Sequence, residues 1–196
     1  MARVREKVPV YLDSGNIKKV TDEDVHAILR GADELIMTGG RTMLAKLLKG
    51  SKDKKIIEHH LDSSPAYGVF SHCTLEEISL MIDWCIQHDY LAIEYSGKLP
   101  FLVFTPKGWE IEKVTYTEEL YQKIESIVTE NDDTTQANLI ETLKTRNRQV
   151  ILLLLDKIAT HGTENLIPFL EKWKQDEVKK VASRIGGTVM KIRERK

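Results

Sequence analysis

Apolar residues recur at helical spacing through Val25, Ile28, Leu29, Ala32, Leu35 and Ile36, directly after the acidic run Thr21-Asp22-Glu23-Asp24. Carboxylates favour the positive end of a helix dipole, so this pattern predicts an amphipathic helix from Asp22 to about Thr38. Gly39-Gly40 interrupts it, and Met43, Leu44, Leu47 and Leu48 define a second, shorter helix from Arg41 to Lys49 that Gly50 stops. Ser51 to Lys55 reads as a loop running into another short helix, and Asp62 to Gly68 as turn chemistry. Thr74 followed by Glu77 forms a capping-box signature, opening a helix whose core face carries Leu75, Ile78, Met81, Ile82, Cys85 and Ile86. The period then changes. LAIEYSG and FLVFTPKG are short β-prone runs around a Gly-Lys turn, so helices give way to a β-hairpin, the element order of a winged helix.

Beyond about Val114 the pattern is wholly helical. Helices are expected near Glu118–Glu130, Thr134–Lys144, Gln149–Thr160 and Glu164–Ile185, with a frayed charged tail from Lys191. The polar stretch Lys113 to Thr117 marks a boundary. The expected organisation is an N-terminal extension (1–20), a winged helix (21–115) and an α-helical C-terminal module (116–196). Within that module, RQVILLLLDKIATHGTENLIPFLEKW loosely resembles a helix pair of a HEAT-like repeat, with Gly162 at the turn. The fold class is therefore mostly α with a small β-hairpin.

Composition narrows the chemistry. With 41% apolar and 30% charged residues in 196, the chain is a globular protein, and its net charge of -1 provides no global field to attract a polyanion. Nucleic-acid binding must then come from a local patch. One exists: Arg41, Lys46, Lys49, Lys52, Lys54 and Lys55 stand against the single acid Asp53. Such a run is either a solvated helix face and loop or a phosphate-binding surface.

No phosphate loop of the GxxxxGK[ST] type and no G-x-S-x-G nucleophile turn occurs, so no catalytic residue is assigned. Cys73 and Cys85 lack CxxC spacing, and His59, His60 and His72 have no third ligand at usable spacing, so neither metal nor cofactor is expected. The longest apolar run, Val150 to Leu155, falls far short of the roughly 20 residues that cross a bilayer. The amino terminus lacks a secretion signal, giving the expectation of a cytoplasmic protein, or a nuclear one in a eukaryote.

Gly39 to Ile111 resembles the RQC domain that follows the motor core in RecQ-family DNA helicases. The resemblance rests on the glycine before the second helix, Leu48-Lys49-Gly50-Ser51, Tyr67-Gly68, the His88-Asp89-Tyr90-Leu91 transition and Phe104-Thr105-Pro106-Lys107-Gly108-Trp109. It implies a winged helix that binds duplex, forked or branched DNA through its backbone, in repair, recombination or regulation, without catalysis of its own. Carried over by position, Lys49, Ser51, Lys52 and Lys54 would meet phosphates, and Thr74 would do so at a helix N-terminus. Arg41, Lys46 and Lys55 join them as members of the cationic patch. Lys98 at the wing tip is open between phosphate contact and ordinary turn chemistry, and Ser51 between phosphate contact and helix capping.

Two features depart from the family pattern. The four-cysteine module that precedes RQC in many RecQ helicases is missing, and the hairpin tip Ser96-Gly97-Lys98-Leu99-Pro100 carries no ring to separate strands. A helicase or another repair protein is an expected partner, although no residue names one. The alternative is a winged-helix adaptor that binds protein and not DNA. The helix Leu75–Gln87, dominated by apolar and acidic groups, argues against deep insertion into a major groove. Trp84 and Trp109 fall on apolar periodicity and read as core anchors, whereas Tyr67 is open between packing and contact with DNA. The cations from Lys172 to Lys196 either extend a DNA footprint or dock an acidic partner.

Overall fold

Thr21 accepts a hydrogen bond from the Asp24 amide and opens α1 (Asp22–Asp33). α1 ends earlier than its apolar period suggests. Turns occupy the residues up to Thr38, where Met37 takes a left-handed conformation (φ 62°) and Gly39 closes back onto the Leu35 carbonyl. α2 (Arg41–Lys49) ends at Gly50, whose φ of 75° provides the left-handed cap. α3 (Lys54–Glu58) is capped by Asp53, and α4 (Leu75–Gln87) opens on a complete capping box between Thr74 and Glu77. The computed structural model describes residues 7–195.

β1 (Leu91–Ser96) and β2 (Leu99–Phe104) pair antiparallel, from Leu91 opposite Phe104 to Ser96 opposite Leu99, around the two-residue turn Gly97-Lys98. The outer edge of β2 is not left bare: Leu102 accepts from the Met37 amide and donates to the Gly39 carbonyl. α2 packs on α1 and α4, and α4 packs on β1. Their shared core holds Ile28, Leu29, Leu44, Leu47, Leu48, Ile56, Ile78, Ile82 and Leu102, all fully buried. This is a winged helix followed by a helical module.

α5 (Pro106–Glu130) is one continuous helix, longer at its start than the apolar pattern predicts. Thr105 supplies the reason. Its hydroxyl accepts from the Gly108 amide while Pro106 occupies the first helical position, so the helix begins directly after the hairpin. The compact units divide within α5: the first ends at Glu112 and the second begins at Lys113. In the second unit, α6 (Asp133–Thr145), α7 (Arg148–His161), α8 (Ile167–Gln175) and α9 (Lys179–Glu194) surround Leu154, Leu155, Ile158, Phe169, Trp173 and Ile185. The single helix expected over Glu164–Ile185 is thus a 3-10 turn plus two helices broken at Asp176 to Val178. The expected frayed tail is helical through Glu194, because Val189 and Ile192 are buried and anchor it; Lys196 lies outside the described residues.

Candidate nucleic-acid interface

The loop from Gly50 to Asp53 projects from a joint that two left-handed glycines make. Gly68 (φ 74°) sits so near Gly50 that a Cβ on Gly50 would stand 3.0 Å from the Gly68 Cα. The amides of Gly68 and Phe70 donate to the Leu47 and Leu48 carbonyls that end α2, and the Tyr67 hydroxyl donates to the carbonyls of Gly50 (3.0 Å) and Ser51 (3.2 Å). Tyr67 is therefore a brace for the loop. Its turn chemistry made its hydroxyl visible in the sequence, but not the carbonyls that the hydroxyl would meet.

The nine candidate residues fall into three overlapping groups, with Lys55 in two of them. On the joint's flank, the Lys49 ammonium donates to the carbonyls of Ser71 (2.6 Å) and Cys73 (2.7 Å), tying the end of α2 to the entry of α4. Thr74 is engaged in its capping box, and the Ser51 hydroxyl accepts from the Asp53 amide at 3.2 Å. The second group is the exposed rim: Lys52, Lys54 and Lys55 all face solvent. Among the described residues only Lys54 of these three carries a side-chain ion pair, an exposed one with Glu58 at 3.3 Å.

The third group borders the wing. Arg41, Lys46 and Lys55 line one cleft of about 600 Å³, together with Val8 to Tyr11 and Leu99 to Leu102. Lys98, at the hairpin tip, accepts from the Val8 amide through its backbone carbonyl. Arg41 is turned inward onto Asp83, with contacts of 2.6 and 2.5 Å. Lys46 holds Asp53 at 2.7 Å, and this bond, reinforced by the Lys55 amide, keeps the Asp53 carboxyl below its ordinary range. Three of the six patch cations thus already serve the fold.

Residues 8–13 also pack against this unit. Asp13 donates its amide to Asp83 at 2.9 Å, Arg41 and Gln87 donate to the carbonyls of Tyr11 (3.0 Å) and Leu12 (3.4 Å), and Tyr95 donates to the carbonyl of Val8 (3.0 Å). Sequence reasoning missed Asp83, Gln87 and Tyr95. The one available signal was Asp83, an acid amid the apolar residues of its helix.

A second joint accounts for the remaining sequence signature. Asp89 turns left-handed (φ 60°) after α4, and the Thr105 hydroxyl donates to the Asp89 and Tyr90 carbonyls. Lys107 donates to the His88 carbonyl at 2.9 Å and lies 3.6 Å over the Tyr90 ring. Gly108 presses against the Tyr90 carbonyl so closely that a Cβ would come within 1.9 Å of the oxygen. Trp109 packs on Phe104, and Trp84 is buried, stacked at 3.8 Å on His88.

These two joints, made by LKGS with Tyr-Gly and by His-Asp-Tyr-Leu with Phe-Thr-Pro-Lys-Gly-Trp, coincide with a family match: the RQC domain covers residues 18–121, just over half the chain. The chain belongs to the RQC domain family. Among curated proteins, the RQC region is 32% identical over 95 residues to the ATP-dependent DNA helicase RecQ of Bacillus subtilis (strain 168). The match takes in 48% of this chain but 16% of that helicase. No solved structure matches. The RQC signature residues mostly build the two joints; the exposed lysines stand on the frame they make.

Proposed function

We propose that this RQC chain binds duplex ends, forks or junctions of DNA through backbone phosphates, and that it positions DNA without transforming it. The observation that carries the reading is the braced loop. Gly50, Tyr67 and Gly68 fix its base, so Lys52, Lys54 and Lys55 project into solvent from a defined corner. Ammonium groups on such a corner displace condensed counterions and give salt-sensitive affinity without reading sequence. The association of the RQC family with DNA binding supports this reading. Thr74 and Lys49 serve the corner by fixing the entry of α4, and Ser51 by capping the loop. The inward engagement of Arg41, Lys46 and Lys49 favours a second reading, an adaptor whose winged helix contacts protein.

Fluorescence anisotropy with blunt, forked and single-stranded DNA across a salt series separates the two. DNA binding predicts that Lys52→Glu/Lys54→Glu/Lys55→Glu weakens association by at least tenfold at low salt and flattens its salt dependence. An adaptor predicts weak, structure-indifferent binding that the triple substitution leaves unchanged.

A further inference from the structure

The turn-to-turn register of α4 puts Ile78, Ile82 and Cys85 in the core. At 100° per residue, Leu80, Asp83 and Gln87 lie on the opposite face, the one a helix-turn-helix lays toward a DNA groove. Here that face is covered. Asp83 is only 3% exposed, Gly15 lies against Leu80, and Gln87 holds the Leu12 carbonyl. The cover continues to the wing, where Val8 is bonded to Lys98 and Tyr95.

Three of these contacts share one chemistry. The carbonyl oxygens of Val8, Tyr11 and Leu12 accept from a phenol, a guanidinium and a carboxamide, the donor types that hold phosphate and sugar oxygens in protein–DNA complexes. The segment is also shallow. No residue from Val8 to Asn16 is buried, Tyr11 is 81% exposed, and the first core residue is Val20. A segment in which no residue is buried can open locally without unfolding the core.

We propose that Arg41, Gln87 and Tyr95 form a second row of DNA-backbone donors, which residues 8–16 occupy in the free protein and which DNA must uncover. The strap is an internal stand-in for the nucleic-acid backbone. This rests on the DNA-binding reading above and adds to it both a set of contacts and a means of restraint. Lys55 and Lys46 border the same cleft as Arg41, so a strand leaving the lysine corner would reach the Arg41 end of the row first.

The test compares the full chain with one lacking residues 1–16, using a labelled forked duplex. The deleted segment carries Arg3, Arg5 and Lys7 against Glu6 and Asp13, so loss of charge alone predicts weaker binding. Uncovering predicts the opposite: if the open form is about 10% populated, the truncated chain binds about tenfold more tightly. In the truncated chain, Gln87→Ala and Tyr95→Phe, which leave charge untouched, then weaken binding. Equal or weaker binding by the folded truncated chain overturns the proposal. If truncation impairs folding, millisecond hydrogen exchange on the full chain decides. DNA should deprotect the Val8 and Asp13 amides, and retained protection overturns the proposal. Absence of DNA binding by both chains would instead refute the DNA-binding reading itself, whereas a full chain that binds through Lys52, Lys54 and Lys55 without tightening on truncation refutes the strap alone.

Discussion

At the scale of single residues, the signature positions act through fit. Gly108 is the sharpest case, because the Tyr90 carbonyl fills the space a side chain would need. Backbone cannot rotate aside as a side chain can, so Gly108→Ala must push the start of α5 off the turn between α4 and β1. The cost expected for such overpacking is about 1–3 kcal/mol, seen as a lower urea midpoint with an unchanged slope. The sequence made the glycine legible but not its reason. A glycine two residues after a proline at a helix start looks like a weak helix residue, and only the neighbouring carbonyl explains it. The same limit applied to Arg41 and Lys46: their charges were legible, whereas Asp83 and Asp53, which engage them, come from 42 and 7 residues away.

At the scale of elements, caps fix where helices begin, and at α3, α4 and α6 they depend on carboxylates, those of Asp53, Glu77 and Asp132. The Glu77 carboxyl accepts from the Thr74 amide (2.7 Å) and hydroxyl (2.9 Å), and these bonds hold its pKa below the ordinary range. Because the folded value is the lower one, the stabilisation is present above the unfolded-chain value, roughly 4.3, and is lost as pH falls through the folded value. The Asp53 cap of α3 follows the same sign. Thermal melts between pH 6 and pH 3 should therefore show a falling midpoint, and Glu77→Gln should flatten the part that Glu77 contributes. An unaltered pH profile in that variant would show that the cap adds nothing. This box was readable from Thr74 and Glu77 alone, since its partners are three residues apart. The early end of α1 and the break between α8 and α9 were not, because apolar periodicity continues through both and only tertiary contacts decide where backbone leaves the helix.

At the scale of the molecule, charge is arranged locally. Residues up to Glu112 contain more Asp and Glu than Lys and Arg, so the RQC unit as a whole repels a polyanion while its lysine corner attracts one. The three ammonium groups of the corner alone predict a slope of roughly -3 for log affinity against log salt on duplex DNA, and an uncovered Arg41 would steepen it by about one. Anisotropy titrations from low to physiological salt measure it, and a slope twice as steep would show that more cations than this corner take part. The winged helix and the helical module were legible at this scale because a change from period 3.6 to period 2 and back survives in one sequence. The strap was not, since its backbone carbonyls do the holding and carry no side-chain signature.

The closeness of Gly50 and Gly68 separates two jobs that a loop usually combines. Shape resides in the paired glycines and the tyrosine hydroxyl, while charge resides in Lys52, Lys54 and Lys55, which bear no weight in the core. Drift at the lysines can therefore retune or invert what the corner attracts, generation after generation, on an unaltered scaffold, whereas a methyl group on Gly50 would press into Gly68 and one on Gly68 would strain its left-handed backbone.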